Sequence, residues 1–107
     1  MIFETGDQAH VTPTAHPYGL RVTGEVDHGN QQRLAGALHG MILEGGDDIR
    51  LDLGELAFID VSGLRVIVAA AARLSPPRRL ILDPISPAVR RLLALTGWDR
   101  APGLLIG

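Results

Sequence analysis

The sequence predicts an α/β fold, a small mixed sheet with helices packed on it. Three observations carry that expectation. Short segments of alternating polarity, Gly19–Thr23, Ile49–Leu53 and Arg79–Asp83, take turns with longer segments of helical periodicity, the order that builds strand–helix–strand units. Such units pair their strands in parallel through a helical crossover. The first connection, near His16–Tyr18, holds Pro17 and is too short for a crossover, so an antiparallel edge is expected there.

Pro13 and Pro17 punctuate the start of the chain and leave room for a short edge strand over Ala9–Thr14; residues 1–8 are expected to be irregular. In Gly19–Thr23, Leu20 and Val22 face one way, Arg21 and Thr23 the other. Gly24-Glu25-Val26-Asp27 is expected to end that strand in a polar loop. From Asn30 onward Leu34, Ala37, Leu38, Met41 and Ile42 form one apolar stripe at helical spacing, with N-cap candidates between Asp27 and Asn30 and a stop at Gly45-Gly46. Ile49, Leu51 and Leu53 alternate with Arg50 and Asp52. After a turn at Gly54-Glu55, the apolar pair Phe58-Ile59 runs into Asp60-Val61-Ser62-Gly63, which opens a second helix. Its buried stripe is Leu64, Ile67, Val68, Ala71 and Leu74, and Ser75-Pro76-Pro77 breaks it. Arg79–Asp83 follows as a strand. Ser86-Pro87 then starts a third helix, with Ser at the cap and Pro in the first helical position. That helix buries Val89, Leu92, Leu93 and Thr96, turns Arg90 and Arg91 outward, and ends at Gly97. Leu104–Ile106 adds a last short strand.

Composition removes whole classes of function. The 107 residues make one domain, 46% hydrophobic and 21% charged, a balance that argues against disorder. There is no cysteine, hence no disulfide framework, thiol nucleophile or cysteine-ligated metal. The formal net charge is −2 and the pI about 6.0, so no basic field holds a phosphate backbone and nucleic acid is not an expected partner. All ten positive charges are Arg, which excludes lysine chemistry. No apolar run reaches the roughly 18 residues of a bilayer span, and Met1–His10 shows no signal-peptide pattern. No membrane partner is expected, and the expected location is the cytoplasm.

Catalytic constellations fail on spacing. A nucleophile elbow at Ser62 needs glycine two residues to either side, where Asp60 and Leu64 stand. His10, His16, His28 and His39 all precede Ser62, and none has the i, i+4 spacing of a helical metal site. Asp27, Asp52, Asp60 and Asp83 could be read as a magnesium cluster at strand ends; helix capping by Asp27 and Asp60 and solvation of Asp52 is the preferred account. Trp98, the single tryptophan, is expected to seat the last helix. Arg65 sits near the positive end of its helix and opposes the macrodipole; Asp60 offsets it, and contact with a partner is the sharper reading.

Three segments together resemble one family. Leu20-Arg21-Val22-Thr23-Gly24-Glu25-Val26-Asp27 is similar to the opening block of STAS domains, the fold of bacterial anti-sigma-factor antagonists. Ile49–Leu53 with Phe58-Ile59-Asp60-Val61-Ser62-Gly63-Leu64 resembles their central block. Ile85-Ser86-Pro87-Ala88-Val89-Arg90-Arg91-Leu92-Leu93, followed by Thr96-Gly97, resembles their last. The likeness runs from about residue 20 to about residue 98, in the family's order, and identifies the chain as a single STAS domain.

The resemblance implies a mixed sheet of four to five strands with helices mainly on one side, and a regulatory role without catalysis, cofactor or metal. An unphosphorylated antagonist binds an anti-sigma factor, commonly a serine kinase, and phosphorylation of a serine at the start of the second helix ends the binding. The residue matching that serine is Val61, which has no hydroxyl, so the usual switch is absent. Ser62 matches the neighbouring serine; its ordinary role is hydrogen bonding at the helix start, and it is the candidate for a substitute phosphorylation. The expected partner surface comprises Glu25, Asp27 and His28 with Asp60, Val61, Ser62, Gly63 and Arg65, extended along the second helix to Arg73. The partner implied is an anti-sigma factor or kinase-like regulator, and a homodimer is compatible with the likeness. The alternative is a ligand- or nucleotide-sensing module that uses the free N–H groups of the same helix start.

Overall fold

The computed structural model describes residues 9–107; the irregular stretch expected over residues 1–8 lies outside them. The elements run β1 (His10–Ala15), β2 (Tyr18–Val26), α1 (Gln31–Glu44), β3 (Ile49–Asp52), β4 (Leu56–Ile59), α2 (Val61–Ala72), β5 (Leu80–Leu82), α3 (Pro87–Thr96), a 3-10 turn (Trp98–Arg100) and β6 (Leu104–Ile106). The sheet order is β1-β2-β3-β5-β6, with β4 added to β2. β1 is antiparallel to β2, and every other pairing is parallel.

Two expectations change here, for one reason. β2 does not end at Thr23, and Leu56–Ile59 is a strand, which brings the sheet to six. Gly24, with φ at 84°, marks a bulge where the register shifts and not a strand end, a conformation that glycine adopts at little cost. β2 therefore serves two parallel partners in succession, β3 along Gly19–Arg21 and β4 along Gly24–Val26.

Alternation buries Leu20, Val22, Ile49, Leu51, Leu80 and Leu82 on one face of the sheet. The other face carries Arg21, paired with Glu55, and Arg50, paired with Asp83. The helices add Leu34 and Leu38, Leu64 and Ile67, and Val89 and Leu93 to the same core. In α2 the buried stripe includes Ala70, while Val68 is only half-buried. Ser86 caps α3 by accepting from the Val89 N–H at 3.2 Å, and Trp98 packs against the core at its far end. Asn30, by contrast, makes no side-chain cap for α1. Its buried amide accepts from the Asp27 N–H at 2.9 Å and donates to the Glu25 carbonyl at 2.8 Å, fixing the loop that follows β2. Among the described residues no helix is long and apolar enough to cross a membrane.

Candidate functional site

The carboxyl ends of parallel strands are where open α/β sheets place their sites, and here β2 and β4 end side by side. Val26 and Ile59 are register partners, and the Asp60 N–H extends the ladder by donating to the Val26 carbonyl at 3.2 Å. The loop after β2 is thereby set beside the start of α2. Glu25, Asp27 and His28 come together with Asp60, Val61, Ser62 and Arg65, residues far apart in sequence.

Asp60 organises this corner. Its extended backbone (φ −93°, ψ 179°) makes it the N-cap of α2. Its carboxylate accepts from the Gly63 N–H at 2.8 Å and from the Ser62 hydroxyl at 2.7 Å. Partial burial works against the charge, but hydrogen bonds from Gly63, Ser62 and the His28 backbone outweigh it and hold the carboxyl below its ordinary range. Ser62 is half-buried and committed as a donor. Val61, next to it, is 44% exposed.

Gly63 belongs to the corner from beneath. It is buried, and a Cβ there would lie 2.8 Å from Val26 Cγ1 and 3.0 Å from Ile59 Cγ1. The lack of a side chain at Gly63 lets α2 start hard against β2 and β4. Asp27 is half-buried and accepts from the Gly29 N–H at 2.8 Å, so it shapes its own loop and caps no helix. Glu25 and His28 are exposed. So is Arg65, which shares a helix face with Val61 at i+4, and whose guanidinium has no hydrogen bond or ion pair with a described residue. Arg73 instead donates to His39 Nδ1 at 2.8 Å, which ties it to α1.

The carboxylates at the strand ends have separate protein partners: Asp52 accepts from the Gly54 N–H at 3.0 Å, and Asp83 pairs with Arg50 at 2.5 Å. Among the described residues no three His, Cys, Asp or Glu side chains gather where they could hold a metal.

Sequence reasoning missed one feature of this end of the molecule. Phe58 is 50% exposed and Leu95 77% exposed, and both line a groove of about 290 Å³ between β4 and α3. The sequence shows Phe58-Ile59 only as an apolar pair before Asp60; as part of strand β4 the two residues turn to opposite faces. Leu95 gave a signal, since it lies off the stripe of α3.

Residues 9–107 match the family described as Mlab, STAS domain. Over 76 residues, 70% of this chain, the sequence is 32% identical to the "Putative anti-sigma factor antagonist BtrV" of Bordetella bronchiseptica, and the match spans 66% of that protein, just under two thirds of its length. Among solved structures, an anti-sigma factor antagonist from Mycobacterium paratuberculosis is similar at a TM-score of 0.70 and 24% identity, over 91% of this chain and 83% of that one. The phosphorylated form of the Bacillus cell fate determinant SpoIIAA gives 0.65 at 20% identity, over 92% and 90%. At these identities the two structures bear on the fold, which they share with this chain.

Proposed function

We propose that this chain, which belongs to the STAS domain family, acts as a non-catalytic anti-sigma-factor antagonist. It binds an anti-sigma factor or kinase-like regulator through the β4–α2 corner, without the usual serine switch. One observation carries the reading: Val61 is an exposed apolar side chain at the first position of α2, beside an Asp60 and a Ser62 that are already bonded to each other within the molecule. Phe58, also exposed, lies three residues before Val61, and grouped exposed apolar side chains mark contact surfaces. A phosphate there would bring nearly two negative charges to the contact surface, whereas valine offers a permanent apolar one.

Ser62 is a poor substitute acceptor. Its hydroxyl donates to Asp60 at 2.7 Å, and a phosphate on it would lie against that carboxylate. The nucleotide-sensing alternative gains no support at the corner either, because Asp60 already takes the Gly63 N–H at the start of α2 that would face an anion. An anti-sigma partner works in the cytoplasm, where this reading places the chain.

Titration against the anti-sigma factors encoded in the same genome tests the proposal. Binding by the parent that Val61→Asp weakens roughly tenfold or more supports it; absence of binding to every one of them sinks it. Where the partner is a kinase, Val61→Ser should take up phosphate and the parent should not. Equal labelling of the two overturns the role given to Val61.

A further inference from the structure

We infer that the groove between β4 and α3 seats an amphipathic helix of the partner whose apolar ridge is flanked by acidic residues. This rests on the function proposed above and adds the chemistry of the partner to it. Of the five large hydrophobic side chains exposed among the described residues, Phe58 and Leu95 line the groove and Val61 stands three residues beyond Phe58. Scattered exposed apolar residues are ordinary, but a group of them marks a contact surface. The groove and the β4–α2 corner are thus continuous along the chain from Phe58 to Val61.

Size and charge select the occupant. About 290 Å³ accommodates side chains of a ridge and lies at the small end of ligand pockets. β4 is four residues long, too short an edge to template an added strand, so side chains and not backbone make the contact, the helix-in-groove mode. Arg91 is the one charged residue lining the groove, and neither its guanidinium nor that of Arg65 has a partner among the described residues. Among the described residues no carboxylate lines it. Asp60 is engaged internally, and Glu25 lies on the β2 side of Phe58 as its register partner. An apolar trough with the Arg91 guanidinium in its wall is complementary to leucines beside glutamates or aspartates.

The probes are two helical peptides of about 18 residues with the same leucine ridge at i, i+3, i+4 and i+7, one flanked by Glu and the other by Lys. Binding to the isotope-labelled full chain is followed by NMR. The Glu peptide should shift Phe58, Leu92 and Leu95 and bind roughly tenfold tighter than the Lys peptide. Arg91→Glu should invert that preference and Leu95→Asp should remove binding, both with unchanged circular dichroism since both residues are exposed. Equal affinities, no binding, or shifts confined to other surfaces overturn the inference. So does self-association of the parent that Leu95→Asp dissolves, which would make a second copy the occupant. In the anti-sigma titration both variants should weaken binding about tenfold; if they leave it intact while Val61→Asp abolishes it, the groove fails and the corner stands. Peptide selectivity without binding to any anti-sigma factor would sink the proposed function and keep the groove.

Discussion

The two ends of the parallel strands are built on opposite terms. Where the strands begin, Arg78, Tyr18 and Asp48 spend their polar groups inside the molecule. Arg78 donates from Nε to the Asp47 carbonyl at 2.7 Å, from Nη1 to Ile42 at 3.0 Å, and from Nη2 to Met41 at 3.0 Å and Gly45 at 3.2 Å. Several of these belong to the last turn of α1, whose carbonyls lack helical partners, and the cation meets their partial negative charge. The Tyr18 hydroxyl bonds Glu44 beside them, and that bond, with burial, raises the tyrosine above its ordinary pKa. Where the strands end, Phe58, Val61 and Leu95 stay exposed and Arg65 and Arg91 find no partner among the described residues. Internal saturation gives one end stability; unpartnered surface at the other end is what recognition requires.

The sharpest way to break this contrast is to attack the saturated end. Arg78→Met leaves the end of α1 without its charged donor, and the expected loss is about 3 kcal/mol, since charge-assisted hydrogen bonds are worth more than neutral ones but these share one side chain and partial solvent access. A urea midpoint reads it. Affinity for an anti-sigma factor, measured where the variant is folded, should not change. A matching fall in affinity would show the two ends to be coupled.

Gly63→Val acts at the opposite end and on both properties. Its methyl groups have to enter the space held by the fully buried Val26 and by Ile59. Overpacking of that kind costs about 2 kcal/mol, and relief comes by lifting α2 off the strands. The corner moves with the helix, so affinity should fall beyond what the stability loss removes. Unaltered binding would mean that the position of α2 is not what the partner reads.

How much of this was legible beforehand follows the range of each interaction. The caps at Asp60 and Ser86 act over three residues, and the sequence places both. The alternating strands and the helical stripes are equally local. Gly24 was legible as a break but not as a bulge, because only the partners of β2 distinguish the two. Arg78 is 31 to 37 residues from the carbonyls it holds, and Phe58 shares the β4–α3 groove with Leu95, far along the chain. Nothing in a linear pattern joins them. Asn30 shows a subtler failure: a favourable cap residue at the right place is drawn instead into the preceding loop, where Glu25 and Asp27 offer it two backbone groups.

A smaller effect comes from Asp60→Ala. Loss of an N-cap costs about 1 kcal/mol at neutral pH. The pH dependence has a definite sign. The folded pKa of Asp60 lies below its usual value of 3.8, so the unfolded chain binds the proton more readily, and the stabilisation is present above that value and is lost as pH falls through the folded pKa. The stability gap between parent and variant should therefore narrow in strong acid. A gap constant down to the lowest pH at which both remain folded would show that the cap acts without its charge.

The smallest effect expected on stability is the most telling for function. Val61→Ala shortens an exposed side chain at the first position of α2 and improves helix propensity, so unfolding should shift by less than about 0.5 kcal/mol. On the function proposed here binding should nonetheless weaken, because the lost methyl groups belong to an exposed side chain and not to the core. The contrast between the two ends of the strands depends on that separation: at Arg78 stability changes and recognition does not, at Val61 the reverse. A Val61→Ala variant that lost a kilocalorie or more would place the residue among the packing groups, and the corner would then be one more saturated end.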